Sequence, residues 1–376
     1  MSFVITSGGT AGHINPALAV AACLQKSGKP VLFAGSTGGM EEELARQAGL
    51  EYQAFAARGF NRQKPWTLFS STLILARSTK QAQAWLRAVD AKAVAAFGGY
   101  VSVPVGRAAW REGIPLLIHE QNSHLGWSNK HLSRHADIIA LSYAAAASGL
   151  DAEASQRVQL TGNPVRPEFS VLANPEQAAS LRREFRHQLG FGADALVLLV
   201  FGGSQGARHI NQAVVNLAPA LMQRARLRVV HLTGPKEFAS VEAALAEQLK
   251  PDDTWRWQLL GYCDQMPAAF ASADLIVSRA GASSLAELAV AAKPALLVPF
   301  PYATADHQRK NAESLVTAGV ARMVPDSELD SRQFADTLFK LIDDEQLRLD
   351  MLQAAQSLTT ANAAEQVSEL LLGIAR

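Results

Sequence analysis

Phe3-Val4-Ile5-Thr6-Ser7-Gly8-Gly9-Thr10-Ala11-Gly12-His13 and Leu196-Val197-Leu198-Leu199-Val200-Phe201-Gly202-Gly203-Ser204-Gln205-Gly206-Ala207 share one pattern. Each is an apolar run ending in Gly-Gly-hydroxyl-x-Gly. Each leads into an Ala- and Val-rich segment of helical character, around Asn15 and Asn211. A buried strand, a glycine turn and a helix start together make a cradle for phosphate. The first amides of a helix have no partner within it and lie at the positive end of its dipole. Two such cradles in one chain predict two similar α/β halves facing one cleft.

Outward from these turns, short β-branched or apolar runs alternate with Ala-, Leu-, Glu- and Arg-rich stretches of helical period. That alternation predicts parallel sheets covered by helices. The expected strands are 3–6, 30–33, 93–97, 116–119 and 138–141, then 196–201, 227–232, 257–260, 275–278 and 295–298. Thr161-Gly162-Asn163-Pro164-Val165-Arg166-Pro167 has the composition of a linker. The expected domains are therefore 1–166 and 167–344, both Rossmann-like, with a helical segment 345–376 crossing back onto the first.

The 376 residues suffice for two domains, and 48% hydrophobic against 18% charged residues indicates a globular chain. No run approaches the roughly 20 apolar residues of a membrane span, and no secretory leader is expected at the N-terminus. Two cysteines, Cys23 and Cys263, make neither a disulfide framework nor a metal motif, which fits a reducing cytoplasmic compartment. A net charge of +1 argues against nucleic acid as a partner.

The turn at Gly8–His13 is not the dinucleotide fingerprint. That motif needs Gly-x-Gly-x-x-Gly and an acidic residue closing the second strand, where Gly35-Ser36-Thr37 stands. No Lys-Ser/Thr follows, so it is not a P-loop either. His13, at the far end of the turn, reads either as a group for proton transfer or as a helix-start histidine packed on the turn. The second turn formally matches the Gly-x-Ser-x-Gly nucleophile elbow, with His307 downstream. Thr10 occupies the serine slot in the first half, however. A nucleophile has no reason to be duplicated, whereas a phosphate cradle has.

Phe97-Gly98-Gly99-Tyr100 follows a third strand and His119-Glu120-Gln121-Asn122 a fourth. The latter is not a zinc helix, because Ser123 stands where the second histidine would fall. Polar groups at strand ends face the crevice of an α/β sheet, so these residues read as acceptor contacts or as a buried hydrogen-bond cluster. In Ser278-Arg279-Ala280-Gly281-Ala282-Ser283-Ser284-Leu285-Ala286-Glu287-Leu288, a strand ends, small residues turn and a helix begins. Its free amides suit a diphosphate. Ser284 and Glu287 have capping-box spacing, while the same carboxylate suits the two hydroxyls of a ribose. Asp306-His307-Gln308-Arg309-Lys310-Asn311-Ala312 reads either as a helix capped by Asp306 or as polar groups around sugar hydroxyls. Residues 52–89 contain no Asp or Glu. They carry Arg58, Arg62, Lys64, Arg77, Lys80 and Arg87 among Trp66, Leu68, Phe69, Leu73, Ile74 and Leu75. A basic and apolar face of this kind suits an anionic membrane leaflet.

Taken in order and over nearly the full length, these segments resemble the family-28 glycosyltransferases of bacterial peptidoglycan synthesis, the MurG family. The resemblance also includes Gly-Asn-Pro-Val-Arg at 162–166. It implies the GT-B fold, two Rossmann-like domains flanking a deep cleft. It implies transfer of N-acetylglucosamine from UDP to the 4-hydroxyl of the muramyl sugar of lipid I, with inversion, giving lipid II. By motif, Thr10, Ala11 and Gly12 lie by the donor, Asn122 meets its sugar, and Arg166 and Ser204 approach its diphosphate. The backbone at Cys263 reads the uracil. Ala282, Ser283, Ser284, Leu285, Ala286 and Glu287 hold diphosphate and ribose, and Gln308 holds sugar hydroxyls. Gly9, Gly98, Gly99, Tyr100, His119, Glu120 and Gln121 fall on the acceptor side, with His13 as the base. Arg62, Lys64, Trp66, Phe69, Leu73, Arg77 and Lys80 would meet the membrane. Ala11 replaces a glycine common in the family, a side chain that crowds the turn.

Inversion needs one base and in-line attack, with the leaving diphosphate stabilised electrostatically. No Asp-x-Asp occurs. A helix start with Arg166 therefore replaces a metal, and no cofactor is expected. The implied partners are UDP-N-acetylglucosamine, lipid I, the anionic leaflet on the cytoplasmic face of the inner membrane, and other cell-wall synthesis or division proteins. The competing functions are a UDP-sugar 2-epimerase of similar fold and an α/β hydrolase using Ser204.

Overall fold

The computed structural model describes residues 1–57, 67–203, 207–303, 306–357 and 362–376, the side chains of 67–71 excepted. The chain forms two units, Met1–Pro167 with Asn362–Arg376, and Glu168–Ala361.

The first unit carries β1 (Ser2–Thr6), β2 (Val31–Ser36), β3 (Glu51–Phe55), β4 (Ala91–Ala96), β5 (Leu116–Glu120), β6 (Ile138–Leu141) and β7 (Val158–Leu160). They form a sheet in the order β3-β2-β1-β4-β5-β6-β7, every pairing parallel. Side chains alternate between two faces with the period of two that a strand imposes. Val4, Val94 and Ile118 pack under Ala82 and Leu86 of the helix Thr67–Ala88 and under Val105 and Ala109 of the helix Ser102–Arg111. Ile5, Phe33, Ala95 and Leu117 meet Ala17, Val20 and Leu24 of the helix Ala11–Lys26, together with Val367 and Leu371. Because both faces are covered, the strands read as unbroken apolar runs.

The second unit carries β8 (Leu196–Phe201), β9 (Leu227–Leu232), β10 (Trp257–Leu260), β11 (Leu275–Ser278), β12 (Ala295–Leu297) and β13 (Ala321–Met323), in the order β10-β9-β8-β11-β12-β13, again all parallel. Leu198, Val200, Val229 and Val277 pack against Ile210 and Val214 of the helix Arg208–Asn216 and against Phe334 and Leu338 of the helix Arg332–Asp343.

In each sheet the strand order reverses once, between β1 and β4 and between β8 and β11. Crossovers leave toward opposite sides at that point and open a crevice at the strand carboxyl ends. The turns at Gly8-Gly9 and Gly98-Gly99 leave the ends of β1 and β4. Those at Gly202-Gly203 and Ala280-Gly281 leave the ends of β8 and β11.

Three strands escape the sequence pattern: β3, β7 and β13. All are edge strands, and their exposed or half-exposed positions break the apolar run. The C-terminal segment also differs from expectation. It is two helices with separate allegiances. Glu345–Gln356 stays with the second unit, where Met351 joins the core beside Leu341 and Ile342. Only Ala363–Ile374 packs on the first, with Val367 and Leu371 buried and Ser368 Oγ donating to Val20 O at 3.4 Å.

The last helix is thus part of the first unit's core. Leu371→Ala is expected to lower stability by about 3 kcal/mol, the cost of a buried leucine truncation. Leu349→Ala, on the exposed face of Glu345–Gln356, is expected to shift it by less than about 0.5 kcal/mol. Urea unfolding of the two variants checks the contrast.

Candidate active site

In the first unit, three chain turns meet above β1, β4 and β5. Gly9 takes φ +94° and Gly99 φ +83°, both in the left-handed region. A Cβ on Gly99 would overlap the carbonyl oxygen of Gly8, so glycine there lets one turn lie directly on the other. Ser102 Oγ spans Thr6 O at 3.2 Å and Gly98 O at 2.6 Å, tying the two strand ends together. Thr10 is the residue before the helix Ala11–Lys26, with extended backbone and no side-chain cap. The first turn of that helix carries no acidic residue, so its positive end is not neutralised locally. Ala11 is the first helical residue, a conformation alanine prefers.

His13 lies in the first turn of the same helix, half-buried, over Gly98. Its Nδ1 is 2.7 Å from Gln121 Oε1. Gln121 Nε2 donates to Phe97 O at 2.9 Å and lies 3.1 Å from His119 Nδ1. His119 Nε2 donates to Gly162 O at 3.1 Å. Burial pushes the His119 imidazole down to about 4, the Gly162 carbonyl opposing and the His13 ring adding slightly. His119 is therefore neutral at physiological pH.

His119, Glu120 and Gln121, expected on the acceptor side, are all essentially fully buried. Glu120 Oε1 accepts from Asn122 N at 3.1 Å and Asn122 Nδ2 at 3.2 Å, and Oε2 accepts from Gly126 N and from Asn129 Nδ2, both at 2.9 Å. These residues form the buried hydrogen-bond cluster, and they hold the loop that presents Asn122. Tyr100 remains exposed and packs on Trp127.

Two buried polar groups in this unit were not foreseen. Glu41 folds back from the helix Met40–Gln47 to accept from Ser36 N and Ser36 Oγ. It sits under Gly8, where a Cβ would come within 2.6 Å of Glu41 Oε1. The acidic run Glu41–Glu43 marks a helix start, but nothing local shows that the first carboxylate turns inward. Asn163 is buried, and neither end of its amide has a partner among the described residues.

In the second unit, the helix Ala282–Ala291 starts from Gly281 with no side-chain cap and no acidic residue in its first turn. Its leading amides are thus left for an anion. Gly281 is the cap position, which places Ser284 three residues inside the helix. The capping-box reading of Ser284 and Glu287 is therefore overturned. Glu287 stands in the second turn, 5% exposed, and Ser283 Oγ is buried without a partner among the described residues. Arg279, just ahead of the helix, pairs with Asp326 at 2.5 Å and lies 3.3 Å from Val298 O and Pro299 O. Asp326 also accepts from His209 Nδ1 at 2.7 Å. His209 is in the helix after the second glycine turn, so Asp326 links the two turns at this switch point. Desolvation opposes ionisation of Asp326, but His209 and Arg279 outweigh it and hold the carboxyl below its usual range.

Gln308 Oε1 accepts from Phe300 N at 2.9 Å, which orients the amide with Nε2 left to donate. Asp306 precedes the helix His307–Thr317 with φ 55° and no side-chain cap, so the capping reading fails there as well. Cys263 follows β10, half-buried. Burial pushes its thiol up, against the opposing Gln265 backbone, and it stays protonated. Ser204, Arg62, Lys64 and Trp66 lie outside the described residues, as does the side chain of Phe69. Among the described residues, no three His, Cys, Asp or Glu side chains gather as a metal site would require.

Residues 3–141 match the glycosyltransferase family 28 N-terminal domain, and residues 197–367 match the family 28 C-terminal domain. The chain belongs to glycosyltransferase family 28 and is a glycosyltransferase. A relative from Halothermothrix orenii is 37% identical, aligned over 95% of this chain and 94% of its own length. It is named UDP-N-acetylglucosamine--N-acetylmuramyl-(pentapeptide) pyrophosphoryl-undecaprenol N-acetylglucosamine transferase. The crystal structure of MurG from Acinetobacter baumannii matches with a TM-score of 0.77 at 28% identity, over 99% of both chains, and the fold is GT-B. The UDP-GlcNAc 2-epimerase of Neisseria meningitidis matches over 99% of this chain and all of its own with a TM-score of 0.67, but at 14% identity. That likeness is one of fold alone, and neither the epimerase nor the hydrolase alternative is favoured.

Two buried neutral histidines make the fold acid-sensitive. His231, like His119, is pushed down by burial, to about 3. An unfolded chain takes up these protons near pH 6.5 and the folded chain does not. Stability is then lost as pH falls from about 6.5 toward 4, by roughly 2 kcal/mol per imidazole at pH 5. His209 acts in the opposite sense: its Asp326 hydrogen bond raises it, so its contribution is present below about 6.5 and fades as pH climbs through the folded value. In denaturant titrations between pH 7 and 5, His231→Gln is expected to flatten the acid slope.

Proposed function

We propose that the chain transfers N-acetylglucosamine from UDP-N-acetylglucosamine to the 4-hydroxyl of the muramyl sugar of lipid I, giving lipid II with inversion at the anomeric carbon. The carrying observation is the pair of uncapped, acid-free helix starts at the switch points, one in each unit. They offer backbone amides to diphosphate groups without a cation. The second unit holds the donor. The amides from Ala282 onward and the turn containing Ser204 take the diphosphate, Glu287 takes the ribose hydroxyls, the backbone at Cys263 takes the uracil and Gln308 takes the sugar. The first unit holds the acceptor on the Gly8-Gly9 and Gly98-Gly99 turns beside Tyr100.

His13 Nε2 takes the proton from the 4-hydroxyl as its oxygen bonds to the anomeric carbon. The bond from that carbon to the diphosphate breaks, and its electron pair leaves with UDP. No metal is required in this scheme, which the missing Asp-x-Asp supports.

The enzyme works from the cytoplasmic leaflet. No described helix is long and apolar enough to cross a membrane. The helix Thr67–Ala88 instead keeps Ala82 and Leu86 in the core while Leu73, Arg77 and Lys80 are exposed. An exposed basic face suits anionic headgroups.

Transfer of labelled N-acetylglucosamine to a lipid I analogue in the presence of EDTA is expected to yield the lipid II analogue. No transfer under any condition rejects the function, and transfer only after magnesium is restored rejects metal independence. Glu287→Ala is expected to raise the donor KM about 100-fold, the loss of two charged hydrogen bonds at roughly 1.5 kcal/mol each. His13→Ala should instead cut kcat by a factor on the order of 10²–10⁴ with little change in donor KM. Replacing Arg77 and Lys80 by Gln should weaken binding to phosphatidylglycerol vesicles roughly ten- to thirty-fold, at about 1 kcal/mol per charge. Sedimentation with vesicles reads the change.

A further inference from the structure

We infer that Gln121 and His119 set the tautomer of His13, so that its Nδ1 carries the hydrogen and its Nε2 faces the substrate as a lone pair. The inference rests on His13 being the base, and it assigns two buried positioning residues to that base. The direction of each bond follows from groups that can act in only one way. The Gly162 carbonyl can only accept, so His119 Nε2 bears the hydrogen of that 3.1 Å bond. His119 is neutral, so its Nδ1 is a lone pair and accepts from Gln121 Nε2 at 3.1 Å. Two further acceptors, Phe97 O at 2.9 Å and His119 O at 3.2 Å, surround the same Nε2. Three acceptors leave the Gln121 amide one orientation, with Oε1 toward His13. A carbonyl oxygen 2.7 Å from His13 Nδ1 requires a hydrogen on that nitrogen.

Sterics support the same arrangement. The ring sits over Gly98, where a Cβ would lie 3.1 Å from Nδ1, and Gly98 takes φ +97°, which disfavours any other residue. His119 and Gln121 are completely buried. Water therefore does not compete for their bonds, and the chain keeps its direction. In water an imidazole favours the opposite tautomer, with hydrogen on Nε2. An unsupported His13 would then offer the acceptor hydroxyl a donor instead of a base. As the proton arrives at Nε2, the imidazolium strengthens its Nδ1–H bond to Gln121 Oε1. The proton later leaves Nε2 for solvent.

The test is long-range ¹H–¹⁵N correlation on the full chain labelled with ¹⁵N-histidine, with the His13 signals assigned by their loss in His13→Gln. Wild type is expected to show the Nδ1–H pattern for neutral His13; an Nε2–H pattern there overturns the inference whatever the variants do. In Gln121→Met the pattern is expected to move to Nε2–H, with kcat reduced at least tenfold and donor KM within twofold. An unchanged His13 pattern in Gln121→Met overturns the hydrogen-bond chain. A shifted pattern with unchanged kcat overturns the base assignment on which it rests.

Discussion

A parallel sheet buried on both faces must send its crossovers to one side and then to the other, and the strand ends at that reversal become the floor of a crevice. Here the reversal falls between β1 and β4 in one unit and between β8 and β11 in the other. The glycine turns and the uncapped helix starts are arranged on those four strand ends. What meets there is backbone: glycine turns in contact, helix starts without side-chain caps, and carbonyls that only accept. Amides at such helix starts suit an anion, and desolvation around them strengthens each bond they make.

The two units use this plan differently. In the first, the turns are locked to one another by Ser102 and by the close approach of Gly99 to Gly8. A neutral buried chain, His119 to Gln121 to His13, then runs beneath the surface. In the second, the links run through a carboxylate. Asp326 joins Arg279 ahead of one helix to His209 within the other. A neutral chain transmits direction, which suits the orientation of a base. A charged cluster holds two helix starts in register, which suits a diphosphate needing both.

Resemblance and physics support each other unevenly. Family membership follows from matched domains spanning both units. The proposal of substrates follows the names of relatives, while the proposal of a diphosphate site without a metal starts from helix starts with no acid in their first turns. The fold by itself does not separate transferase from epimerase, since a 2-epimerase shares it closely. The difference is carried by the motifs and by the full-length relatives.

Two doubly wound halves, most central strands and the positions of the glycine turns were legible in the sequence, because a central parallel strand is buried on both faces and must be apolar throughout. The edge strands β3, β7 and β13 were hidden, since half-exposed residues carry no such pattern. The two allegiances of the C-terminal helices were hidden for another reason: which core an apolar stripe joins depends on which groove is vacant. His-Glu-Gln-Asn could be located at a strand end, but whether its side chains faced substrate or each other was decided by the carbonyls of Phe97 and Gly162, the latter distant in sequence. The same holds for Glu287, whose capping role vanished once the helix began at Gly281. Sequence determined which groups arrive at the crevice. Tertiary structure decided their direction, because a hydrogen bond is assigned by both of its ends and a sequence motif displays only one.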